Sequence, residues 1–470
     1  MLLLLSGMDY DTFVTMFDNR PIFFHSSHRR SLISRIRVAW TKDIALALVI
    51  GLLVGCLTVI FLKSLYLVLA IVSNLWRPWL LLPLGLALSA WISMHVTSEV
   101  YGQGLEHVVH AIHRASGYIE AHVIPAKFLS TLLTIGTGGS AGTIGPCAQI
   151  GGGIASLVAR SLRLQPSERQ TLVICGMSAG FAAVLGAPFA GACFAIEALW
   201  IGGLSYNRLV PSIIAALTGH VVAFSFGIPN WTLTFSPDKA TGQFLLLIVL
   251  LAGILFGLCS IVFIETMNLA RWVSWRSSCP LPLQGALSGI LLAGAGFWFP
   301  HNLGLGIDHL QDAVHGQPMP WADMFVKTLF TAATLYFGGS GGIILPLGFV
   351  GAMAGSTLGI LFQTDPGLFA ALGFVSLLAG AANTPLAAMI LAWELFGASL
   401  IPYAMATCAI SYWITGHRSA IPTQILHTPK CLHAPSRLNQ EITDPELLLR
   451  LPTWLTITRQ WFRRRASWRS

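Results

Sequence analysis

Two glycine-rich segments of this sequence contain the residues best suited to hold an ion. GGSAGTIGP covers residues 138–146 and GGSGGIILP covers residues 338–346, so six of nine positions are identical at an offset of 200. Their glycines leave backbone N–H groups uncovered, and the proline that closes each segment suits the first turn of a helix. Uncovered N–H groups and the positive end of a helix dipole both attract anions. Each segment therefore predicts a helix start that binds an anion.

The predicted ligands are backbone amides rather than side chains. They are the amides of Gly142, Thr143, Ile144, Gly145, Ile343, Ile344 and Leu345. Each such interaction contributes about 0.3–2 kcal/mol, so an anion held in this way can also leave. A permeation pathway needs this balance, because conduction requires both entry and exit. The alternative is that the glycines only let membrane helices pack closely, but two copies in register favour anion binding.

A second pair of matched residues follows the glycine-rich segments. Pro188 precedes Glu197 by nine residues, and Pro385 precedes Glu394 by the same distance. Two paired motifs in the same order predict two structural repeats, with discontinuous helices that aim their N-termini at the substrate. A carboxylate inside an apolar run normally has a partner. We expect both glutamates to cap helix ends or to pair across the interface between the repeats.

The composition of the chain determines the class of protein. Of its 470 residues, 54% are hydrophobic and 10% are charged, with 46 glycines and a mean hydropathy of +0.71. Soluble domains carry roughly 25% charged residues, so an ordinary soluble protein is excluded. Several apolar stretches are shorter than the about 20 residues that a spanning helix needs. The sequence predicts an all-α polytopic membrane protein with broken and re-entrant helices packed against protein.

Basic residues concentrate near the two ends of the chain. The 27 lysines and arginines outnumber the 19 acidic residues, and basic clusters lie within residues 29–42 and 459–469. Basic segments beside membrane spans stay in the cytoplasm, so both termini are predicted to be cytoplasmic. The sequence shows no basic groove with interleaved aromatic residues, which argues against a nucleic-acid partner. The partner predicted for these basic flanks is the lipid bilayer.

The sequence lacks the motif sets of enzymes and metalloproteins. It has no HExxH, no GxSxG with triad partners and no Walker lysine, and its eight cysteines form no CxxC pair. We therefore expect no enzymatic activity, no cofactor and no metal site.

The chain resembles the CLC chloride channels and chloride/proton antiporters. YGQGLEHVVHAIH at residues 101–113 resembles the GSGIP region of that family, residues 138–152 resemble its GREGP filter, and residues 338–346 resemble its GGIFAP filter. Two further stretches match, and the similarity extends over about residues 42–427. Together these motifs are highly specific.

The resemblance implies how the chain is organised. A transport domain at residues 43–427 would contain two inverted-topology halves, at about residues 43–230 and 240–427. Residues 1–42 would form a cytoplasmic N-terminal segment, and residues 428–470 a basic cytoplasmic tail without CBS domains. The family further implies a homodimer with one pore in each subunit, placed in a bacterial inner membrane, that transports chloride or a similar small anion.

Four functional positions of the family pattern are altered in this sequence. The gating glutamate falls on Ile144, the inward proton-relay glutamate on Ala198, the pore serine on Gln103 and the pore tyrosine on Ile421. Isoleucine and alanine carry no proton, so proton coupling by the usual route is not expected. Gln103 can present an amide N–H to an anion, whereas Ile421 offers a hydrophobic constriction. We expect passive anion transport, with Gln103, Ile144 and Ile421 lining the pore.

Two alternatives to passive transport stay open. In a non-transporting or regulatory protein on the same scaffold, those three side chains would close the pathway. A proton-coupled antiporter would need other relay residues, and part of the set Glu106, His107, His110 and His113 shares one helix face. Otherwise these histidines are hydrated or hydrogen-bonded.

Overall fold

The computed structural model describes most of the chain between residues 26 and 430. The described residues are 26–74, 77–97, 99, 101–229 and 245–430, with the backbone alone for 26–40. The chain divides into two units, Met1–Leu46 and Ala47–Ser470. The first 25 residues of the expected N-terminal segment, and the expected basic tail from residue 431, lie outside the described residues.

Sixteen α-helices lie in the described residues, and they fall into two sets of eight. The first set is α1 (Ser26–Ser73), α2 (Leu82–His95), α3 (Gly104–Arg114), α4 (Val123–Gly136), α5 (Ile144–Ser161), α6 (Pro166–Leu185), α7 (Pro188–Glu197) and α8 (Leu209–Ser225). The second set is α9 (Leu245–Arg276), α10 (Leu281–Ala295), α11 (Ile307–Val314), α12 (Asp323–Tyr336), α13 (Ile344–Leu361), α14 (Pro366–Ala381), α15 (Pro385–Phe396) and α16 (Ile401–Thr415). Short 3-10 segments cover Pro78–Leu81, Tyr206–Arg208, Pro300–Asn302 and Ala398–Leu400.

Five helical stretches in the described residues are long and apolar enough to cross a membrane. They are Thr41–Ser73, Pro78–His95, Tyr206–Ser225, Leu245–Arg276 and Ile344–Leu361. Five further apolar helices have only 10–17 residues, too few to cross a bilayer alone. The prediction of an all-α polytopic membrane protein with broken helices is confirmed. In such a protein, the backbone N–H and C=O groups of the short helices are hydrogen-bonded within the protein, and these helices pack against other parts of it.

Proline and glycine break an apolar run that looks continuous in the sequence. The stretch from residue 172 to residue 199 forms two helices, α6 and α7, rather than one. Gly186 ends α6 in the left-handed conformation, with φ +71°, and Pro188 begins α7. A left-handed glycine after a helix and a proline in the next first turn both favour such a break.

The two sets of helices repeat the same pattern. Helices α4, α5 and α6 begin at residues 123, 144 and 166, and α12, α13 and α14 begin 200 residues later in each case. Within each set, two helices cross at glycines. A Cβ atom on Gly151 of α5 would lie 2.3 Å from the carbonyl oxygen of Gly176, and one on Gly351 of α13 would lie 2.1 Å from that of Gly373. Close packing is therefore the role of these four glycines.

Two short parallel strand pairs join the first set of helices to the second. Strand β1 (Gly102–Gln103) pairs with β3 (Ser340–Gly341), and β2 (Trp200–Ile201) pairs with β4 (Ile425–Leu426). In the first pair Gln103 lies opposite Gly341. The residue ahead of α3 is thereby held against the second glycine-rich segment.

The two matched glutamates cap helices of the opposite repeat. The Glu394 carboxylate accepts hydrogen bonds from the amides of Phe189 and Ala190, at 2.9 and 2.7 Å, where α7 begins. The Glu197 carboxylate accepts from Leu386 and Ala387, at 3.1 and 2.8 Å, where α15 begins. The expectation that these carboxylates cap helix ends across the repeat interface is confirmed. Each compensates the unpaired amides and the positive dipole at the start of the helix it caps.

Candidate anion site

Two buried helix starts form the centre of the candidate site. Helix α5 begins at Ile144 after Thr143, and α13 begins at Ile344 after Ile343. Neither start has a side-chain cap or an acidic residue in its first turn. Ile144 and Ile344 are each only 1% exposed. The first amides of a helix have no carbonyl partner within it, so both starts present N–H donors inside the protein.

A pair of backbone hydrogen bonds brings the two helix starts together. The Gly142 amide donates to the Gly342 carbonyl at 2.8 Å, and the Gly342 amide donates back to Gly142 at 2.7 Å. A Cβ atom on Gly142 would lie 2.8 Å from the Leu345 Cβ, and one on Gly145 would lie 2.9 Å from the Gly342 Cα. The helix starts of the two repeats are therefore neighbours, and glycine is required for their approach. The prediction that the Gly142 amide binds an anion is wrong in this arrangement, because its single hydrogen is bonded to the Gly342 carbonyl.

A third helix start meets the same place. Gln103 directly precedes α3 and has extended backbone geometry. A Cβ atom on Gly104, the first residue of α3, would lie 2.6 Å from the Gly145 carbonyl oxygen. The structure therefore places Gly104 and Gly145, the residues that follow Gln103 and Ile144, against each other. That Gln103 and Ile144 line one pathway stays a prediction.

The side-chain amide of Gln103 already has protein acceptors. Its Nε2 donates to the Ala420 carbonyl at 2.7 Å and to the Tyr336 hydroxyl at 3.2 Å. The amide nitrogen has two hydrogens, so both are engaged. The direct N–H contact to an anion that the sequence suggests is not available in this arrangement. The side-chain oxygen of Gln103 is buried and has no hydrogen-bond partner among the described residues.

Ile421 lies in the segment that contacts Gln103, next to Ala420. Its side chain is fully buried, and its amide donates to the Ser419 hydroxyl at 2.9 Å. Its side chain thus supplies only an apolar surface, and the hydrophobic constriction at this position stays a prediction.

Ala198 caps the end of α7 and is also fully buried. Its carbonyl accepts a hydrogen bond from the Gln424 side chain at 2.9 Å. This contact links the Ala198 position to the same chain segment as Ile421. A methyl group at this position cannot carry a proton.

Three residues that are not among those predicted from the sequence, Arg271, Tyr336 and Tyr101, complete the polar part of the site. Arg271 of α9 donates to the Glu106 carboxylate at 2.9 Å and to the Tyr336 hydroxyl at 3.1 Å. The guanidinium carbon also lies 5.1 Å from the centre of the Tyr336 ring. The Tyr101 hydroxyl donates to the Tyr336 carbonyl. This ion pair could have been predicted from the sequence, because an arginine and a glutamate beside apolar runs tend to pair.

A matched pair of buried lysines supports the chain ahead of two helices. The Lys127 ammonium lies 3.0 Å from the Gly102 carbonyl oxygen, before α3. The Lys327 ammonium lies 3.1 Å from the Asn302 carbonyl oxygen and 2.9 Å from that of Gly304, before α11. Both lysines are fully buried. Their offset of 200 residues is visible in the sequence and could have identified them.

Three of the four residues considered for an alternative proton route make local contacts. Glu106 pairs with Arg271, and the ring nitrogens of His107 and His113 lie 2.9 Å from the carbonyl oxygens of Tyr101 and Leu199. The sequence allows these histidines either to relay protons or to be hydrated or hydrogen-bonded locally, and His107 and His113 are hydrogen-bonded. Over the described ranges, no group of three or more His, Cys, Asp and Glu side chains could hold a metal ion.

Relatives of known type resemble this chain over most of its length. A chloride/fluoride channel protein from Pseudomonas syringae pv. tomato is 32% identical over 406 residues, which cover 84% of this chain and 87% of that protein. The H(+)/Cl(-) exchange transporter ClcA of Klebsiella pneumoniae is 28% identical over 388 residues, covering 74% of this chain and 80% of that one.

Solved structures share the fold, and a family profile matches the sequence. The crystal structure of a CLC-type fluoride/proton antiporter matches with a TM-score of 0.77 at 28% identity, covering 82% of this chain and 98% of that one. The structure of a slow cyanobacterial Cl-/H+ antiporter matches with a TM-score of 0.70 at 20% identity, covering 80% and 94%. The profile described as "Voltage gated chloride channel" matches residues 85–416. With its paired helix starts and its fold, this multi-pass membrane protein belongs to the voltage gated chloride channel (CLC) family.

Proposed function

We propose that the protein transports chloride or a similar small anion passively, without coupling to protons. The observation that carries this proposal is Ile144, which lies buried at the start of α5, where the family resemblance implies a gating glutamate. An uncharged side chain there neither competes with an anion nor carries a proton. The buried amides beside it remain as anion donors.

The absence of ionisable groups at the helix starts supports uncoupled transport. Neither glycine-rich segment, 138–146 or 338–346, contains an ionisable side chain. The position implied for the inward proton relay is Ala198. Glu106, the nearby carboxylate, is held by Arg271 at 2.9 Å. A group that relays protons must bind and release one during transport, and neither Ile144 nor Ala198 has a side chain that can do so.

Fluoride is the second anion that we propose, beside chloride. The relative from Pseudomonas syringae is named for both ions, and the matched crystal structure is that of a fluoride/proton antiporter. Backbone N–H groups bind either halide, because they supply hydrogen bonds without a fixed charge.

Proton-coupled exchange is the second candidate function. The names of two relatives favour it, since one is an H(+)/Cl(-) exchange transporter and the other a fluoride/proton antiporter. In this case the proton would need a route other than Ile144 and Ala198. For either function we also propose the organisation that the resemblance implies, with both termini in the cytoplasm of a bacterial inner membrane. A homodimer with one pore per subunit and two halves within residues 43–427 belong to the same proposal.

Anion efflux from liposomes reconstituted with the full-length protein tests the proposal. A chloride or fluoride electrode records efflux, an internal dye records pH, and protein-free liposomes are the control. We expect efflux that leaves internal pH unchanged when the membrane potential is clamped. Uphill proton movement driven by the anion gradient would establish exchange instead. No flux of chloride, fluoride or nitrate would contradict both functions and favour a non-transporting scaffold.

A further inference from the structure

We propose that the hydroxyl group of Tyr336 is the side-chain donor that binds the transported anion, and that Gln103 and Arg271 position it. This inference rests on the proposed anion transport. It adds a ligand that comes from α12. The pore hydroxyl groups that the family resemblance implies belong to other positions, those of Gln103 and Ile421.

The first argument is the location of the hydroxyl. Tyr336 is the last residue of α12, and only Phe337 separates it from the second glycine-rich segment; Tyr336 is 4% exposed. Its hydroxyl lies 3.2 Å from the Gln103 side chain, which in turn contacts Ala420 at 2.7 Å. Gln103 and Ile421 occupy the positions where the family resemblance implies a serine and a tyrosine hydroxyl. A hydroxyl group therefore lies at this place although neither of those residues has one.

The second argument is the direction of the hydroxyl proton. The Tyr336 oxygen accepts one hydrogen bond from Gln103 and one from Arg271, at 3.2 and 3.1 Å. A phenol oxygen has one hydrogen and two lone pairs, so its proton points away from both donors. Among the described residues, the hydroxyl donates to no acceptor. A buried donor without an acceptor is unfavourable, and an anion is a suitable acceptor.

The third argument is the positive charge of Arg271 next to the Tyr336 hydroxyl. Arg271 is positively charged and donates to the phenol oxygen, which polarises the O–H bond and makes it a stronger donor. The Arg271 and Glu106 side chains are 31% and 21% exposed, whereas Gln103 is 1% exposed. The ion pair thus borders accessible space while the hydroxyl lies deeper. Since Glu106 balances the charge of Arg271, the anion meets a polarised hydroxyl rather than an unpaired cation.

The Tyr336→Phe substitution tests the inference in full-length protein, because it removes the hydroxyl and keeps the ring. Tyr206→Phe is the matched control, since Tyr206 is 71% exposed in the 3-10 segment Tyr206–Arg208. Liposome flux is measured against chloride and fluoride concentration. We expect the anion concentration for half-maximal flux to rise about 10- to 100-fold in Tyr336→Phe, as for a lost hydrogen bond to a charged ligand. The control should match the wild type.

A purely structural hydroxyl would give a different result. In that case Tyr336→Phe would lower the amount of folded protein but leave the concentration dependence and the chloride-to-fluoride ratio of the remaining flux unchanged. That result would overturn the inference. The ratio does not depend on how much protein is folded, so poor folding of the variant does not obscure the answer.

Crystals of the wild type grown with bromide give a test that does not depend on flux. We expect the anomalous signal of bromide within hydrogen-bond distance of the Tyr336 hydroxyl. Bromide bound only at the helix starts, away from this hydroxyl, would overturn the inference. If wild-type liposomes show no flux while bromide binds at Tyr336, the proposed transport fails and the binding role stands.

Discussion

At the scale of single residues, most of the groups that form this site are uncharged. The donors at both helix starts are backbone amides, and the side chains beside them are apolar, as at Ile144 and Ile344. Charged side chains lie beside these groups: Arg271 pairs with Glu106 and contacts Tyr336, and the Lys127 ammonium contacts the Gly102 carbonyl. An anion held by dipoles and one polarised hydroxyl keeps the moderate affinity that permeation needs.

A single substitution should convert this uncharged helix start into one that senses pH. Ile144→Glu places a carboxylate beside the amides of α5, where its ionised form competes with an anion for the same donors. We expect flux to fall as pH rises and the carboxyl ionises, and to recover as pH falls and it is protonated. Liposome efflux over a range of pH measures this effect.

The control for that experiment is Ile144→Gln, which has nearly the shape of glutamate but cannot ionise. It should alter flux equally at every pH. A flat pH profile for Ile144→Glu would show that Ile144 does not occupy the gating position, and the alignment behind the passive mechanism would fail.

The sequence predicts the backbone part of the site and fails for its side chains. Glycine and proline spacing identifies both helix starts, because such spacing acts locally. The engagement of Gln103 is different, since its partner Tyr336 lies 233 residues away in the chain. No local pattern indicates that α12 ends beside α3, so the predicted N–H donor turns out to be bonded within the protein.

At the scale of helices, glycine determines how closely the helix starts approach each other. Gly142, Gly145 and Gly342 allow backbone from two repeats to meet without intervening side chains. In the helix crossings the same residue type has a different role, because Gly151 and Gly176 only permit close packing of α5 and α6. The close-packing interpretation of glycine is thus correct at the helix crossings, whereas anion binding at the helix starts stays a prediction.

Gly145→Ala should damage the site strongly. The added Cβ would lie 2.9 Å from the Gly342 Cα, which is backbone and cannot rotate away. We expect loss of most anion flux and a lower melting temperature in detergent. Gly294→Ala is the matched control, because Gly294 lies inside α10 with nothing within 4 Å of an added Cβ. That change should be neutral or stabilise by up to about 1 kcal/mol. Equal flux in the two variants would contradict the close approach of the helix starts.

Helix positions follow from the sequence better than helix boundaries do. The apolar stretch at residues 324–336 matches α12, which begins at Asp323, and the stretch at 368–381 matches α14, which begins at Pro366. The run from residue 172 to residue 199 looks like one segment, since composition alone does not show that Gly186 is left-handed. No apolar stretch marks helix α11 in the sequence, because this helix is short and amphipathic and its burial depends on tertiary packing.

At the scale of the whole molecule, the two repeats depend on each other for their backbone hydrogen bonds. Strand β1 pairs only with β3, and β2 only with β4, within the described part of the chain. The caps at the starts of α7 and α15 are likewise exchanged between repeats. The starts of α7 and α15 are therefore capped by these carboxylates only when both halves are folded together.

The exchanged caps can be tested one at a time. Glu197→Gln and Glu394→Gln each remove a charge and one acceptor oxygen from a helix start, which should cost about 1–3 kcal/mol per site. The loss should be larger for Glu197, which is 5% exposed and more deeply buried than Glu394. Thermal unfolding in detergent, followed by tryptophan fluorescence, measures the effect. Glu120→Gln is the control, because the Glu120 side chain is 46% exposed.

The double variant tests whether the two caps act independently. They lie at opposite ends of α7, a helix of 10 residues that is about 15 Å long. Sites this far apart normally contribute additively, so the double variant should lose the sum of the two single effects within about 0.5 kcal/mol. A double variant no less stable than Glu197→Gln alone would mean that the first lost cap already separates α7 from α15. The two repeats would then be held together by a single cooperative contact rather than by two independent ones.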